Sequence, residues 1–141
     1  MTFAGWKEVR RRKRLAAFLD NVTANSESGN RNFTRSGAPL TSSAGARFAM
    51  QVMPDTARQP GFGLQPANPN RPNDMNRLGR QYRAVMERRY GGDLRKMWAA
   101  YNWGPGNLDE AIRRFGENWM QAAPQETRDY VARNLRALGN R

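Results

Sequence analysis

Apolar residues in this chain recur every three or four positions and do not show clear alternation, a pattern that favours packed helices over a sheet. Trp6, Val9, Leu15, Phe18, Leu19 and Val22 give one helix over roughly residues 5 to 27, with Gly29 as its stop. Met75, Leu78, Tyr82, Val85, Met86 and Tyr90 form a second stripe closed by Gly91 and Gly92. Asp93 then caps a helix in which Leu94, Met97, Trp98 and Tyr101 share a face. Helices over residues 107 to 115 and about 124 to 138 complete the set, and Pro54 followed by D-T-A-R reads as a short helix start. Residues 29 to 49, rich in Gly, Ser, Thr and Asn, suit an irregular or short β segment, and residues 58 to 73 read as a long Pro- and Asn-rich surface loop. At 141 residues the expectation is one domain over residues 1–141, with residues 1–14 as the basic N-terminal part of the first helix.

The chemistry open to such a domain is narrow. The chain has no Cys and no His. Disulfides, thiol nucleophiles, thiolate or imidazole metal sites and Ser-His-Asp arrangements are therefore ruled out, no cofactor is expected, and acid–base work falls to Asp, Glu, Tyr or Lys. The 24 Lys and Arg against 12 Asp and Glu give +12, a field that attracts nucleic acid, acidic lipid or an anionic wall polymer without choosing among them. No apolar run approaches the roughly 18 residues of a membrane span, and the basic N-terminal residues lead only into L-A-A-F-L, shorter than a secretory apolar segment.

Four stretches belong together: E-S-G at 27 to 29, S-S-A-G-A-R-F-A-M-Q-V-M-P-D-T-A at 42 to 57, A-Y-N-W-G-P-G at 100 to 106, and E-T-R-D-Y-V at 126 to 131. In this order, over residues 15 to 138, the chain resembles the soluble-type lytic transglycosylases, lysozyme-like enzymes that cut peptidoglycan glycan strands; Asn76, Gly79 and Tyr82 fit the same pattern. The resemblance implies a mainly α, lysozyme-like single domain with a cleft and little or no sheet. It implies cleavage of the β-1,4 bond between N-acetylmuramic acid and N-acetylglucosamine, with a 1,6-anhydro-muramoyl product. Glu27 would be the single catalytic residue, acting first as acid and then as base. Ordinary glycosidases pair the acid with a second carboxylate, but residues 28 to 54 contain no Asp or Glu, and Asp55 is read more simply as serving the helix that begins at Pro54.

By the same resemblance Gln51 and Met53 line the cleft, Ser42 contacts the sugar, Tyr101 and Asn102 meet a sugar's apolar face and hydroxyls, and Glu126 and Tyr130 stand near the bound saccharide. On the residues alone, Glu27 is a solvated helix end, Met53 core packing, Asn102 a turn former, and Glu126 with Tyr130 a helix-start glutamate and a core tyrosine. Phe48 and Ala49 stand where the family has Gly-Leu, and Trp103 where it has a small residue. The expected partners are glycan strands, an anionic wall or outer-membrane surface, and virion proteins, with no specific nucleic acid. The expected setting is the bacterial periplasm or cell wall, reached from a bacteriophage particle or through a lytic pore, with a processed periplasmic enzyme as the alternative. A hydrolytic muramidase of the same fold and a non-catalytic basic nucleic-acid-binding or virion structural protein remain the other readings.

Overall fold

The computed structural model describes residues 1–139. Among the described residues there are seven α-helices: α1 (Phe3–Ser28), α2 (Pro54–Arg58), α3 (Pro72–Arg89), α4 (Leu94–Trp103), α5 (Pro105–Phe115), α6 (Trp119–Ala122) and α7 (Gln125–Gly139). A 3-10 turn, Gly116–Asn118, joins α5 to α6. The described residues form no β-ladder; residues 33 to 52 make three isolated antiparallel bridges, Phe33 with Pro39, Thr41 with Arg47 and Arg47 with Val52.

Most boundaries follow local chemistry. Thr2 caps α1 by accepting a hydrogen bond from the Gly5 amide at 3.0 Å, so the helix begins two residues before the apolar stripe implies. Its far end is the left-handed Gly29, whose amide returns to the carbonyls of Ala24 and Asn25. Proline at the first helical position starts α3 at Pro72 and α5 at Pro105, earlier than the apolar spacing suggests, so the loop expected to reach residue 73 ends at residue 71. The short α6, which has no sequence signal of its own, is set by Trp119 entering the core.

The described residues form two apolar clusters. The larger packs Leu19 and Val22 of α1 with Met86, Met97, Trp98, Leu108, Trp119, Tyr130 and Val131. Trp98 is its centre; its indole N–H donates to Thr23 Oγ1 at 2.9 Å, and Thr23 donates to the Leu19 carbonyl, so the polar end of a buried ring is satisfied. Arg83, also buried, is neutralised by Asp20 and Glu87. The smaller cluster gathers Phe48, Met50, Val52, Ala57, Met75 and Leu78 under the irregular segment. Tyr101 packs against both. The first fifteen residues of α1 lie outside both clusters; Phe18 packs against the larger one, and the first buried residue of the helix is Leu19.

Gly79 lets α3 approach the irregular segment. A β-carbon there would overlap Met50 Cβ and stand 2.9 Å from Met50 Cγ and 3.1 Å from the Tyr101 hydroxyl. Two effects compete on Gly79→Ala: helix propensity gains about 1 kcal/mol, while overpacking against an atom next to the backbone costs typically about 1–3 kcal/mol and sometimes more. The clash wins here, because Met50 Cβ cannot swing away as a side-chain tip could. Gly79→Ala should lower the unfolding free energy by about 2 kcal/mol in urea denaturation, whereas the same change at a helix glycine with open space, Gly106, should alter it by less than half as much.

Candidate functional site

The site is built around a tight turn at residues 48 to 52. Phe48 (φ 65°) and Gln51 (φ 51°) both adopt the left-handed backbone region, uncommon for residues other than glycine. Between them, every polar backbone group of Ala49 and Met50 is held by a side chain. Asn32 Oδ1 accepts the Ala49 N–H at 3.0 Å and Ser28 donates to the Ala49 carbonyl at 2.8 Å. Asn76 Oδ1 accepts the Met50 N–H at 3.0 Å and the Tyr101 hydroxyl donates to the Met50 carbonyl at 2.6 Å. Asn76 also donates to Asn32 at 2.7 Å, joining two of the four holders.

Ser28 thereby fixes the residue before it. Glu27 occupies the last turn of α1, half-buried, with its carboxyl pushed up to about 7. Burial is the largest cause and the negative charge of Glu126 adds to it; the Tyr130 hydroxyl and the Arg133 guanidinium oppose. The Tyr130 hydroxyl is buried and acts on the carboxyl as a donor, although the two have not closed into a full hydrogen bond. Arg133 is set beside them by donating to Ser26 Oγ at 2.8 Å, with its guanidinium 5.7 Å from the centre of the Tyr130 ring. Tyr101 and Tyr130 are both raised well above the usual phenol range, by burial first and then by the charge of Glu27, so both remain neutral donors.

A groove of about 240 Å³ runs along this site, lined by Gln51, Val52, Met53, Thr56, Tyr82 and the residues from Ala100 to Gly104. Glu27 does not line it but acts electrostatically on Tyr101, which does. Of the residues singled out in the sequence, Gln51, Met53, Tyr101 and Asn102 therefore share one groove. Met53 is exposed there rather than packed in the core. Gln51 donates from Nε2 to the Phe48 carbonyl at 2.8 Å, and Asn102 Oδ1 accepts from Thr127 at 2.8 Å. Tyr130 is buried and Glu126 exposed on α7, both within electrostatic reach of Glu27. Ser42 is not among the lining residues; its hydroxyl accepts the Ala46 N–H at 3.0 Å and closes its own turn. Asp55 is exposed and pairs with Arg58 at 3.0 Å.

Several participants escaped the sequence reading. Asn32 gave no signal, since it lies in a polar irregular stretch and bonds to residues 17 and 44 positions away. Arg133 could have been found from helical spacing, three residues after Tyr130 on the same helix. Trp103, noted in the sequence only as an unusual bulk, lines the groove beside Asn102.

The displaced carboxyl has a consequence for stability. An unfolded Glu titrates at about 4.3, so between there and about 7 the folded protein binds more protons at Glu27 than the unfolded chain does. This group's contribution must then fall as pH rises through that window. Glu27→Gln removes the titration, and urea melts should show the variant gaining on the parent protein between pH 5 and pH 8, with the gain complete above the Glu27 pKa.

Comparison with known proteins agrees with this architecture. The 70 kDa soluble lytic transglycosylase from Escherichia coli superimposes with a TM-score of 0.67 at 24% identity over 85% of this chain. An inactive glutamate-to-glutamine mutant of lytic transglycosylase Slt from Pseudomonas aeruginosa does so with a TM-score of 0.67 at 25% identity, again over 85% of the chain. This chain covers only 20% of either protein. The transglycosylase SLT domain family matches residues 6–123, a span that includes Glu27, the 48–52 turn and the groove and stops before α7. The chain belongs to the transglycosylase SLT domain family.

Proposed function

We propose that this domain is a peptidoglycan lytic transglycosylase with Glu27 as its one acid–base residue. The observation that carries the reading is a carboxyl held near pH 7 beside a tyrosine-lined groove, with no Asp or Glu between residues 28 and 54 to act as a partner. Protonated Glu27 donates to the glycosidic oxygen as the bond from that oxygen to C1 of the muramoyl sugar breaks. The muramoyl 6-hydroxyl oxygen then bonds to C1 and passes its proton to the Glu27 carboxylate. The acid is restored, no water is consumed and the new end is a 1,6-anhydro sugar. Tyr130 and Arg133 hold the anion that exists between the two transfers, and Glu126 keeps it from becoming too weak a base. Gln51, Met53, Tyr101 and Asn102 would bind the strand. The inactivity of the Pseudomonas neighbour on exchanging one glutamate for glutamine supports an essential carboxyl.

The setting we propose is wall degradation during phage entry or lysis, supported by a small domain carrying +12. Lys7, Arg10, Arg11, Arg12, Lys13 and Arg14 lie exposed on the part of α1 outside the core, suited to gather the enzyme onto an anionic wall or outer-membrane surface. Among the described residues no helix is long and apolar enough to cross a membrane.

Digestion of purified peptidoglycan followed by mass spectrometry should give anhydro-muramoyl ends, one water lighter than hydrolysis products; reducing ends alone would identify a muramidase instead. Glu27→Gln should lose turnover toward the upper end of the roughly 10²–10⁴-fold typical of a placed acid–base group while keeping strand binding. Raising salt from 0.1 M to 1 M, which shortens the Debye length from about 10 Å to about 3 Å, should weaken capture of intact walls much more than turnover of short soluble strands.

A further inference from the structure

Between α2 and α3 the chain makes a loop whose tip is Gly61, Phe62 and Gly63. All three adopt the left-handed region, with φ of 70°, 56° and 72°, and the turn is closed by the Leu64 amide donating to the Gly61 carbonyl at 3.0 Å. Glycine adopts this conformation freely, and a bulky aromatic residue does so at a cost. Phe62 is nevertheless there, and it is not part of either apolar cluster: the residue is 47% exposed.

What the ring does touch leads to the groove. Phe62 meets Tyr82 edge-on, with centroids 5.9 Å apart at 80°, and Tyr82 meets Tyr101 in the same manner at 6.1 Å and 70°. Tyr82 and Tyr101 line the groove, so the three rings form a continuous path from it to the loop tip. The Arg89 guanidinium stands 5.8 Å from the Phe62 centroid, and its charge is paired with Asp109, which steadies the ring without offering a free cation. A strained backbone that keeps a large ring exposed beside a binding groove is the pattern expected of a ligand contact, since asparagine or glycine would make the same turn more easily.

We propose that Phe62 is a saccharide platform, extending the groove beyond Tyr82 and Tyr101 so that one further hexosamine of the glycan strand stacks its apolar face on the exposed ring. This rests on the glycan-binding reading above. It assigns the G-F-G loop to selection for strand length, leaving the reaction itself to Glu27.

The probe is a set of peptide-free glycan strands of alternating N-acetylglucosamine and N-acetylmuramic acid, from tetrasaccharide to longer oligomers. Phe62→Asn removes the ring while keeping a residue that tolerates the left-handed backbone, and Phe62→Tyr restores a ring. On the long strands Phe62→Asn should raise KM about tenfold with kcat within about twofold, Phe62→Tyr should recover the parent value, and the tetrasaccharide should be turned over alike by all three. The Kd of each strand is measured in parallel with Glu27→Gln as the parent, so that the platform is read without turnover; the same tenfold weakening confined to long strands is expected. An equal effect at every length would assign Phe62 a purely structural role, and no effect at any length would overturn the platform. A parent protein that binds long strands through Phe62 yet cleaves none would leave the platform standing and remove the catalytic reading, whereas a Glu27→Gln protein that binds no strand would remove both.

Discussion

The backbone of two adjacent residues, Ala49 and Met50, decides where everything else in the site can be. Four polar groups of a buried, non-repeating backbone would each cost about 1–3 kcal/mol if left without a partner. Ser28 from the end of α1, Asn32 from the segment after it, Asn76 from α3 and Tyr101 from α4 supply the partners one by one. The turn is therefore a junction at which three helix-borne side chains and one loop side chain are brought to a common position. Glu27 precedes one of these holders in sequence, and the groove is lined in part by another, so the acid and the groove are registered through the same two residues.

The burial that makes Glu27 a weak acid is set by the same arrangement. Its carboxyl lies where α1 ends against α7, beside Tyr130 and the Tyr101 ring, and each of these rings belongs to the apolar packing as well as to the site. Arg133 and Glu126, which act on the carboxyl in opposite senses, both come from α7. Acidity at Glu27 thus depends on how α7 docks, and α7 lies outside the span matched by the family.

The helices were legible in the sequence because their signal is periodic and local: Met75 through Tyr90 declares a buried face without reference to anything distant, and Asp93 does cap α4, accepting the Lys96 amide at 3.2 Å. The irregular segment was legible only as an absence of pattern. Its turn depends on bonds between residues 17 to 51 positions apart, and on left-handed Phe48 and Gln51, residue types that carry no sequence preference for that conformation. The groove residues Gln51, Met53, Tyr101 and Asn102 were reached through ordered motifs, whereas Ser42, reached the same way, is engaged within its own turn, where spacing along the chain says little about position in space. Gly79 belonged to the same pattern, but the close approach that requires it emerges only when α3 and Met50 are seen together.

Tyr101 has its hydroxyl committed to the Met50 carbonyl and its ring wedged between two apolar clusters. Its polar end therefore points into the protein's own framework and its carbon surface forms the groove. To anything lying there the residue is a hydrocarbon wall of fixed orientation, with no hydroxyl proton left to donate to a ligand. On the proposed glycan-binding reading, discrimination among the hydroxyls and acetamides of a sugar would fall to Gln51 and Asn102, while Tyr101 would distinguish only flat from crowded faces.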